Sequence, residues 1–239
     1  MNSDTQLSPE TSLKKLSSLD PRRQLGEAVL AGVDKAIDSK WQPAKDRAAR
    51  LTGDTLDEKV KAITSTYARE LGTVGGAAGA VAAVPAVGTS AAIAGSVAEF
   101  GYFAFRAGEL ILTIGALHGH EDATIEEQRA AILCVLAFGD GASKAFNTLA
   151  GEFGRKLGKK AVARVPSSAL RSFNRKVGGT IVTKYGEKRG LIVLGRLAPM
   201  GIGIVIGGGA NYGATMLIGR HANKFFTELP YTTTDIKGE

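Results

Sequence analysis

The sequence predicts an all-α protein, a helical bundle with two Ala/Gly-rich helical segments packed closely at its centre. Three observations predict this fold: apolar residues recur at helical spacing, two capping boxes begin helices, and two long runs carry no charge. The chain has 239 residues, of which 44% are hydrophobic and 22% charged. This balance is near the globular average, so it excludes a chain that is, as a whole, a disordered tail or a collagen-like polymer.

The first part of the chain is expected to hold one helix. It starts at Pro21, its apolar residues recur every four positions between 25 and 37, and Trp41 and Pro43 are expected to close it. Residues 1–12 are not expected to be a secretion signal, because they lack a basic segment and an apolar stretch. The expected organisation is a flexible N-terminus over 1–20, a helical extension over 21–54, a main helical domain over 55–228 and a flexible tail over 229–239.

The main domain begins with a capped helix that leads into the first charge-free run. Thr55 and Glu58 form a capping box, and an apolar stripe continues to residue 71. Residues 71–98 then hold ten Ala, six Gly and five Val, with Pro85 expected to divide the run. Its helix-packing glycines, spaced four apart, are Gly72, Gly75, Gly76 and Gly79.

This run is long enough to cross a membrane, although Ala and Gly contribute little to insertion. Three interpretations stay open: a buried hairpin in a soluble core, a hairpin that dips into a bilayer, and a full span.

Polar residues in an apolar setting follow on the next helix. Arg106 and Glu109 are spaced to pair on one face, and Glu99 shares that face two turns earlier. A buried charge without a partner is very costly, which favours a structural ion pair. The alternative is an enzyme of unknown reaction, whose polar site would bring together Glu99, Arg106, Glu109 and His118.

The loop after this helix leads to a second capped helix. His118 and His120 lie beside acidic residues, but two histidines without a third ligand do not predict a metal site. Thr124 and Glu127 form the second capping box. Cys134 has apolar neighbours and is interpreted as an inert core thiol.

The net charge of +7 arises from one basic block. Residues 142–190 hold 12 Lys/Arg and 2 Asp/Glu, whereas residues 71–141 hold 2 and 7. The block is interpreted either as a solvated helical face or as a patch that binds an anionic membrane or a membrane partner. Its central residues are Arg155, Lys156, Lys159, Lys160, Arg164, Arg171, Arg175 and Lys176.

The second charge-free run covers residues 197–219 and contains seven Gly. Its predicted helix-packing glycines are Gly203, Gly207, Gly209 and Gly213. Because the two runs are alike in composition, we expect their helices to pack on each other.

The sequence lacks the motifs of the common enzyme classes. A glycine-lysine stretch at 154–160 has the wrong spacing for a phosphate loop, and no dinucleotide fingerprint or nucleophile elbow occurs. Nucleic-acid binding is not favoured either, because the basic block lacks a recognition motif. No cofactor is predicted, and an enzyme is the less favoured class.

Three stretches of the chain resemble the EcsC family. They are residues 109–120 with Glu126 and Glu127, residues 196–201 with the glycines to Asn211 and then Ala222 and Phe225, and the Pro-x-x-Gly at 85–88. The resemblance covers residues 55–228. EcsC is named for an operon shared with an ABC-type exporter that acts in bacterial protein secretion.

The resemblance implies a bacterial accessory protein on the cytoplasmic side of the membrane, linked to transport or secretion, and supplies no catalytic residues. With the basic block, it favours a protein that binds membrane lipid or a membrane protein partner. The alternatives are the enzyme described above and a soluble helical scaffold.

Overall fold

The computed structural model describes residues 21–82, 89–148, 167–181 and 202–229. These residues form six helices of 14 to 30 residues, with no strand among them, which confirms the all-α prediction. The helices are α1 (Pro21–Arg50), α2 (Leu56–Ala82), α3 (Thr89–Leu117), α4 (Ile125–Phe138), α5 (Ser167–Thr180) and α6 (Ile202–Thr227). A 3-10 turn at Gly139–Gly141 and a helical stretch at 142–148 follow α4.

Helix α1 is longer than predicted, because it continues through Trp41 and Pro43 to Arg50. Proline removes one backbone hydrogen bond and usually breaks a helix. Here Pro43 and Ser39, the residue four positions before it, are both exposed. Water can therefore satisfy the freed carbonyl of Ser39, while buried Ala44 holds the following turn against the core.

The N-terminal helix and the main domain share one core. The predicted apolar stripe of α1 is buried, and α1 packs along α3 more extensively than on any other described helix. The boundary expected at residue 54 therefore does not separate two cores. The buried stripe is Leu25, Val29, Val33 and Ile37.

Helix α3 occupies the centre, in contact with α1, α2, α4 and α6, while α2 and α6 pack on each other. The first charge-free run is thus divided between the end of α2 and the start of α3, and residues 83–88, with Pro85, lie outside the described residues. The pairing of α2 with α6 agrees with the expectation that the two glycine-rich helices meet.

Among the glycines whose surroundings the structure describes, the two tightest contacts are at positions outside the predicted set. A Cβ atom on Gly32 of α1 would lie 2.3 Å from the carbonyl oxygen of Gly101 on α3. A Cβ atom on Gly219 of α6 would lie 2.3 Å from the side chain of Thr64 on α2. Only glycine fits at either contact.

The predicted glycines differ among themselves. At Gly209 and Gly213 an added Cβ would meet no described atom within 4 Å, so a close helix contact is wrong for this pair in the described part of the chain. Gly209 is exposed and Gly213 is half-buried, because small-residue spacing alone does not determine which face of the helix meets a neighbour. Gly75 is buried, and Gly72 and Gly76 are half-buried. The surroundings of Gly79, Gly203 and Gly207 lie outside the described residues.

Both predicted capping boxes are confirmed. The Glu58 amide donates to Thr55 Oγ1 at 3.2 Å, and the Glu58 carboxylate accepts from the Thr55 amide at 3.3 Å. Thr124 and Glu127 repeat this arrangement at the start of α4. Helix α5 packs on α4 and covers its outer side.

Candidate functional site

The four residues proposed for an enzyme site do not converge. Glu99, Arg106 and Glu109 lie on α3, and His118 lies just after its end. With a rise of about 1.5 Å per residue, Glu99 and His118 are separated by about 28 Å along the helix axis. Of the four, only Arg106 and Glu109 are in contact with each other among the described interactions.

Glu99 belongs to a buried polar contact between three helices. Asn211 Nδ2 of α6 donates to Glu99 Oε1 at 3.1 Å and lies 3.4 Å from the carbonyl oxygen of Leu71 on α2. Glu99 and Asn211 are both buried. This contact fixes the relative positions of α2, α3 and α6.

Arg106 and Glu109 belong to what we call the charge network, which joins α1, α2 and α3. Its members are Arg47, Glu70, Tyr102, Arg106 and Glu109. Arg106 donates to both carboxylate oxygens of Glu70, at 2.7 and 2.5 Å, and to Glu109. Arg47 donates to the other oxygen of Glu109 at 2.6 Å, and Tyr102 donates to Glu70 at 2.8 Å.

The charge network is closed, because each carboxylate is matched by a guanidinium. Glu109 is 0% exposed, and two arginines hold its two oxygens. The hydrogen bonds from Arg106 lower the pKa of Glu70, which leaves that carboxylate a poor base. The guanidinium of Arg106 also lies 4.6 Å from the ring centre of buried Tyr67. These contacts confirm the predicted Arg106–Glu109 pair and give it a structural role.

The two loop histidines pack against the end of α6. His118 Nε2 lies 2.8 Å from Asn223 Oδ1, and the rings of His118 and His120 lie 5.9 and 5.1 Å from that of Phe226. Burial lowers the pKa of both histidines, which favours their neutral forms. Among the described residues, no three His, Cys, Asp or Glu side chains group to hold a metal ion.

Cys134 is a buried free thiol in α4, as predicted. Burial raises the pKa of the thiol, so the reactive thiolate does not form near neutral pH.

The exposed face of α5 carries the described members of the centre of the basic block. Ala169, Leu170 and Val177 are buried, which turns Arg171, Arg175 and Lys176 toward solvent. The sequence of α5 contains no acidic residue. The other predicted members, Arg155, Lys156, Lys159, Lys160 and Arg164, lie outside the described residues.

A cavity of about 430 Å³ opens beside this face, between α1, α4 and α5. Its apolar wall includes Leu30, Val33 and Leu133, and its polar wall includes Arg129, Arg171 and Arg175. Arg129 is paired with Asp34 at 2.6 Å and Arg171 with Glu126 at 3.2 Å. Arg175 has no ion-pair partner among the described residues, so the rim has one cation in excess.

Two buried polar atoms of the cavity-lining residues lack hydrogen bonds within the part of the chain that the structure describes. They are Arg129 Nε and Asn174 Oδ1, although Asn174 Nδ2 donates to the Glu126 carbonyl oxygen at 3.1 Å. Such groups each cost about 1–3 kcal/mol, so polar satisfaction is poorer here than in the charge network.

A segment of α3, Val97–Leu117, is long and apolar enough to cross a membrane by length and composition. The most apolar window of this segment is 72% buried within the protein, as in the core helix of a soluble protein. The segment begins where the first charge-free run ends. It is more apolar than that run, because its Leu, Ile and Phe residues outweigh its three charged residues.

Comparison of the chain with protein-family models, with curated proteins and with solved structures found no match.

Several residues of the cavity and the network were absent from the sequence prediction. Arg47, Glu70, Asp34 and Arg129 each pair with a residue on another helix. Only the sequence of α5 carries a pattern that could have indicated part of the cavity. Its apolar stripe with intervening arginines predicts one buried and one basic face.

Proposed function

We propose that this protein is a membrane-associated accessory protein of the EcsC type that binds the anionic surface of the membrane on its cytoplasmic side. The observation that carries the proposal is the basic face of α5, with Arg171, Arg175 and Lys176 exposed. A basic residue near an anionic membrane contributes roughly 1 kcal/mol to binding. Glu126, 3.2 Å from Arg171, offsets part of this charge, so the described face gives a weak and reversible contact. The other lysines and arginines of the block add to the positive charge of the chain.

Surface attachment accords better with the helix packing than insertion does. The described parts of both charge-free runs contribute to the core, where Leu71 and Asn211 are buried. The most apolar segment of α3 is also enclosed by other helices. The outward-facing cations of α5 are therefore better placed to meet a membrane than these apolar helices are.

Flotation with lipid vesicles tests the proposal. The protein should float with vesicles that contain phosphatidylglycerol and stay behind with vesicles of phosphatidylcholine alone, and high salt should release it. Equal binding to both kinds of vesicle, or no binding at low salt, would contradict the proposal.

A pair of charge-reversal variants identifies the face. Arg175→Glu/Lys176→Glu should weaken binding at least tenfold, because two attractive charges become repulsive. Lys61→Glu/Arg69→Glu makes the same change in net charge at exposed positions of α2 and should bind nearly as the parent does. An equal loss in both variants would mean that total charge, rather than the α5 face, controls binding.

A further inference from the structure

We infer that the cavity between α1, α4 and α5 binds one acidic phospholipid, with its anionic headgroup at the arginine rim and the first carbons of its chains on the apolar wall. The inference rests on the proposed function and deepens it, because it names the ligand of the same basic face. The argument uses the charge, the lining and the size of the cavity.

The charge of the rim selects an anion. Arg129, Arg171 and Arg175 line the cavity together with Asp34 and Glu126, which leaves a net charge of +1. Because the two carboxylates are held by Arg129 and Arg171, they are not free to bind a cation. Arg175 remains available, and a guanidinium binds a phosphate oxygen with charge-assisted hydrogen bonds.

The opposite wall selects an apolar group. Leu30 and Val33 of α1 and Leu133 of α4 line the cavity. Val33 and Leu133 belong to the buried core, so this wall is a continuation of the protein interior. If a fully hydrated ion were the only occupant of the cavity, these apolar surfaces would stay in contact with water.

The size of the cavity fits part of a lipid. About 430 Å³ lies within the range of small-molecule sites, and it is too small for a complete phospholipid with long chains. Gly179 and Gly178 of α5 also line it, and a Cβ atom on Gly179 would meet no described atom within 4 Å. Gly179 therefore has room for a larger side chain at the cavity lining, whereas a Cβ atom on Gly178 would already lie 3.6 Å from the methyl groups of Leu30.

Calorimetric titration with short-chain lipids below their micelle-forming concentrations tests the inference. Dihexanoylphosphatidylglycerol should bind with one-to-one stoichiometry. Dihexanoylphosphatidylcholine, which has the same chains without net charge, and glycerol 1-phosphate, which has no chains, should each bind at least tenfold more weakly. Equal binding of phosphatidylcholine would overturn the selection of a net anionic headgroup by the arginine rim, and equal binding of glycerol phosphate would overturn the role of the apolar wall.

A variant that fills the cavity and keeps every charge separates this inference from the proposed function. Gly179→Leu should weaken binding of dihexanoylphosphatidylglycerol at least tenfold while the protein still floats with anionic vesicles. Gly213→Leu places the same side chain at an open position of α6 and should bind as the parent does. Unchanged binding by Gly179→Leu would overturn the cavity site and leave the proposed function standing. Failure of the parent to float would instead remove the proposed function.

Arg175→Gln gives a second measurement that does not depend on filling the cavity. Loss of a charge-assisted hydrogen bond should weaken binding of dihexanoylphosphatidylglycerol at least tenfold and leave the weak binding of dihexanoylglycerol, which has the same chains without the phosphate, unchanged. A parallel loss for both ligands would count against a phosphate contact at this arginine.

Discussion

The charge network between α1, α2 and α3 and the rim of the cavity between α1, α4 and α5 are built from the same residue types, arginine and carboxylate. In the network, Glu109 is enclosed by two arginines, and Arg106 matches both oxygens of Glu70. At the cavity, the pairs are single contacts between more exposed side chains, and Arg175 is left over among the described residues. Where every carboxylate and guanidinium is paired, the contacts stabilise the fold. Where an arginine is left without a carboxylate, it can bind an anion.

The largest expected effect is at the centre of the charge network. Glu109→Gln removes the charge that Arg47 and Arg106 share, so we expect the free energy of unfolding to fall by about 3 kcal/mol. Chemical denaturation measures this loss. Glu121→Gln changes an exposed carboxylate and should leave stability unchanged within about 0.5 kcal/mol. A loss below about 1 kcal/mol for Glu109→Gln would mean that the network is no more important to the fold than a surface pair.

The next effect concerns the contact between α1 and α3. Helix α1 contributes residues to both the charge network and the cavity. Gly32→Ala would force a methyl group into the Gly101 carbonyl oxygen and should destabilise the protein by about 1–3 kcal/mol. Gly209→Ala, at an open position of α6, should instead stabilise it by up to about 1 kcal/mol. Thermal unfolding of the two variants checks the signs. If Gly209→Ala also destabilised the protein, the higher helix propensity of alanine and the open space at this position would not determine its effect.

A smaller effect is expected in the cavity wall. Asn174→Leu loses one hydrogen bond to the Glu126 carbonyl oxygen but also removes the buried Oδ1 atom that lacks a partner. These changes oppose each other, so stability should change by no more than about 1 kcal/mol. The denaturation curve of this variant is compared with that of Glu109→Gln. An equal loss of unfolding free energy in both variants would contradict the difference proposed between the charge network and the cavity rim.

The smallest effect is a difference in pH dependence between the two regions. The pKa of Glu70 is lowered by its hydrogen bonds with Arg106, so its contribution to stability is lost as pH falls below the ordinary value of 4.5. Burial raises the pKa of Asp34 above 3.8, so this group favours the folded state in acid and loses that contribution as pH rises through its folded value.

Unfolding curves between about pH 3 and pH 6 compare the two groups, since this range spans the ordinary pKa values of both carboxylates. Glu70→Gln should make the loss of stability in acid shallower, and Asp34→Asn should make it steeper. Changes of the same sign in both variants would contradict the assignment.

Local features of the fold were predictable from the sequence. The capping boxes at Thr55 and Thr124 and the pair of Arg106 with Glu109 depend on residues three positions apart, and the structure has all of them. The length of α1 was not predictable in the same way. Its continuation past Pro43 depends on exposure of the freed carbonyl and burial of Ala44, which are properties of the packed molecule.

Contacts between helices account for most of what the sequence did not predict. The glycines at 203–213 have packing spacing, yet of the three α6 glycines whose surroundings are described, at 209, 213 and 219, only Gly219 makes a tight contact, because the face toward α2 determines which glycine is enclosed. The pairs of Arg47 with Glu109 and of Arg129 with Asp34 join residues far apart in sequence. Periodicity shows that each helix has a polar face, but it does not show which partner that face meets.

The close approach of Gly32 to Gly101 has a mechanical consequence for the cavity. Leu30, Val33 and Asp34 stand on both sides of Gly32, in a stretch of α1 whose backbone lies against that of α3. This wall cannot yield without separating two helices in the centre of the bundle. Helix α5 packs mainly on α4 and carries the glycines at the opposite wall. The α1 wall of the cavity is therefore held by a backbone contact in the centre of the bundle, whereas the α5 wall is held mainly by α4.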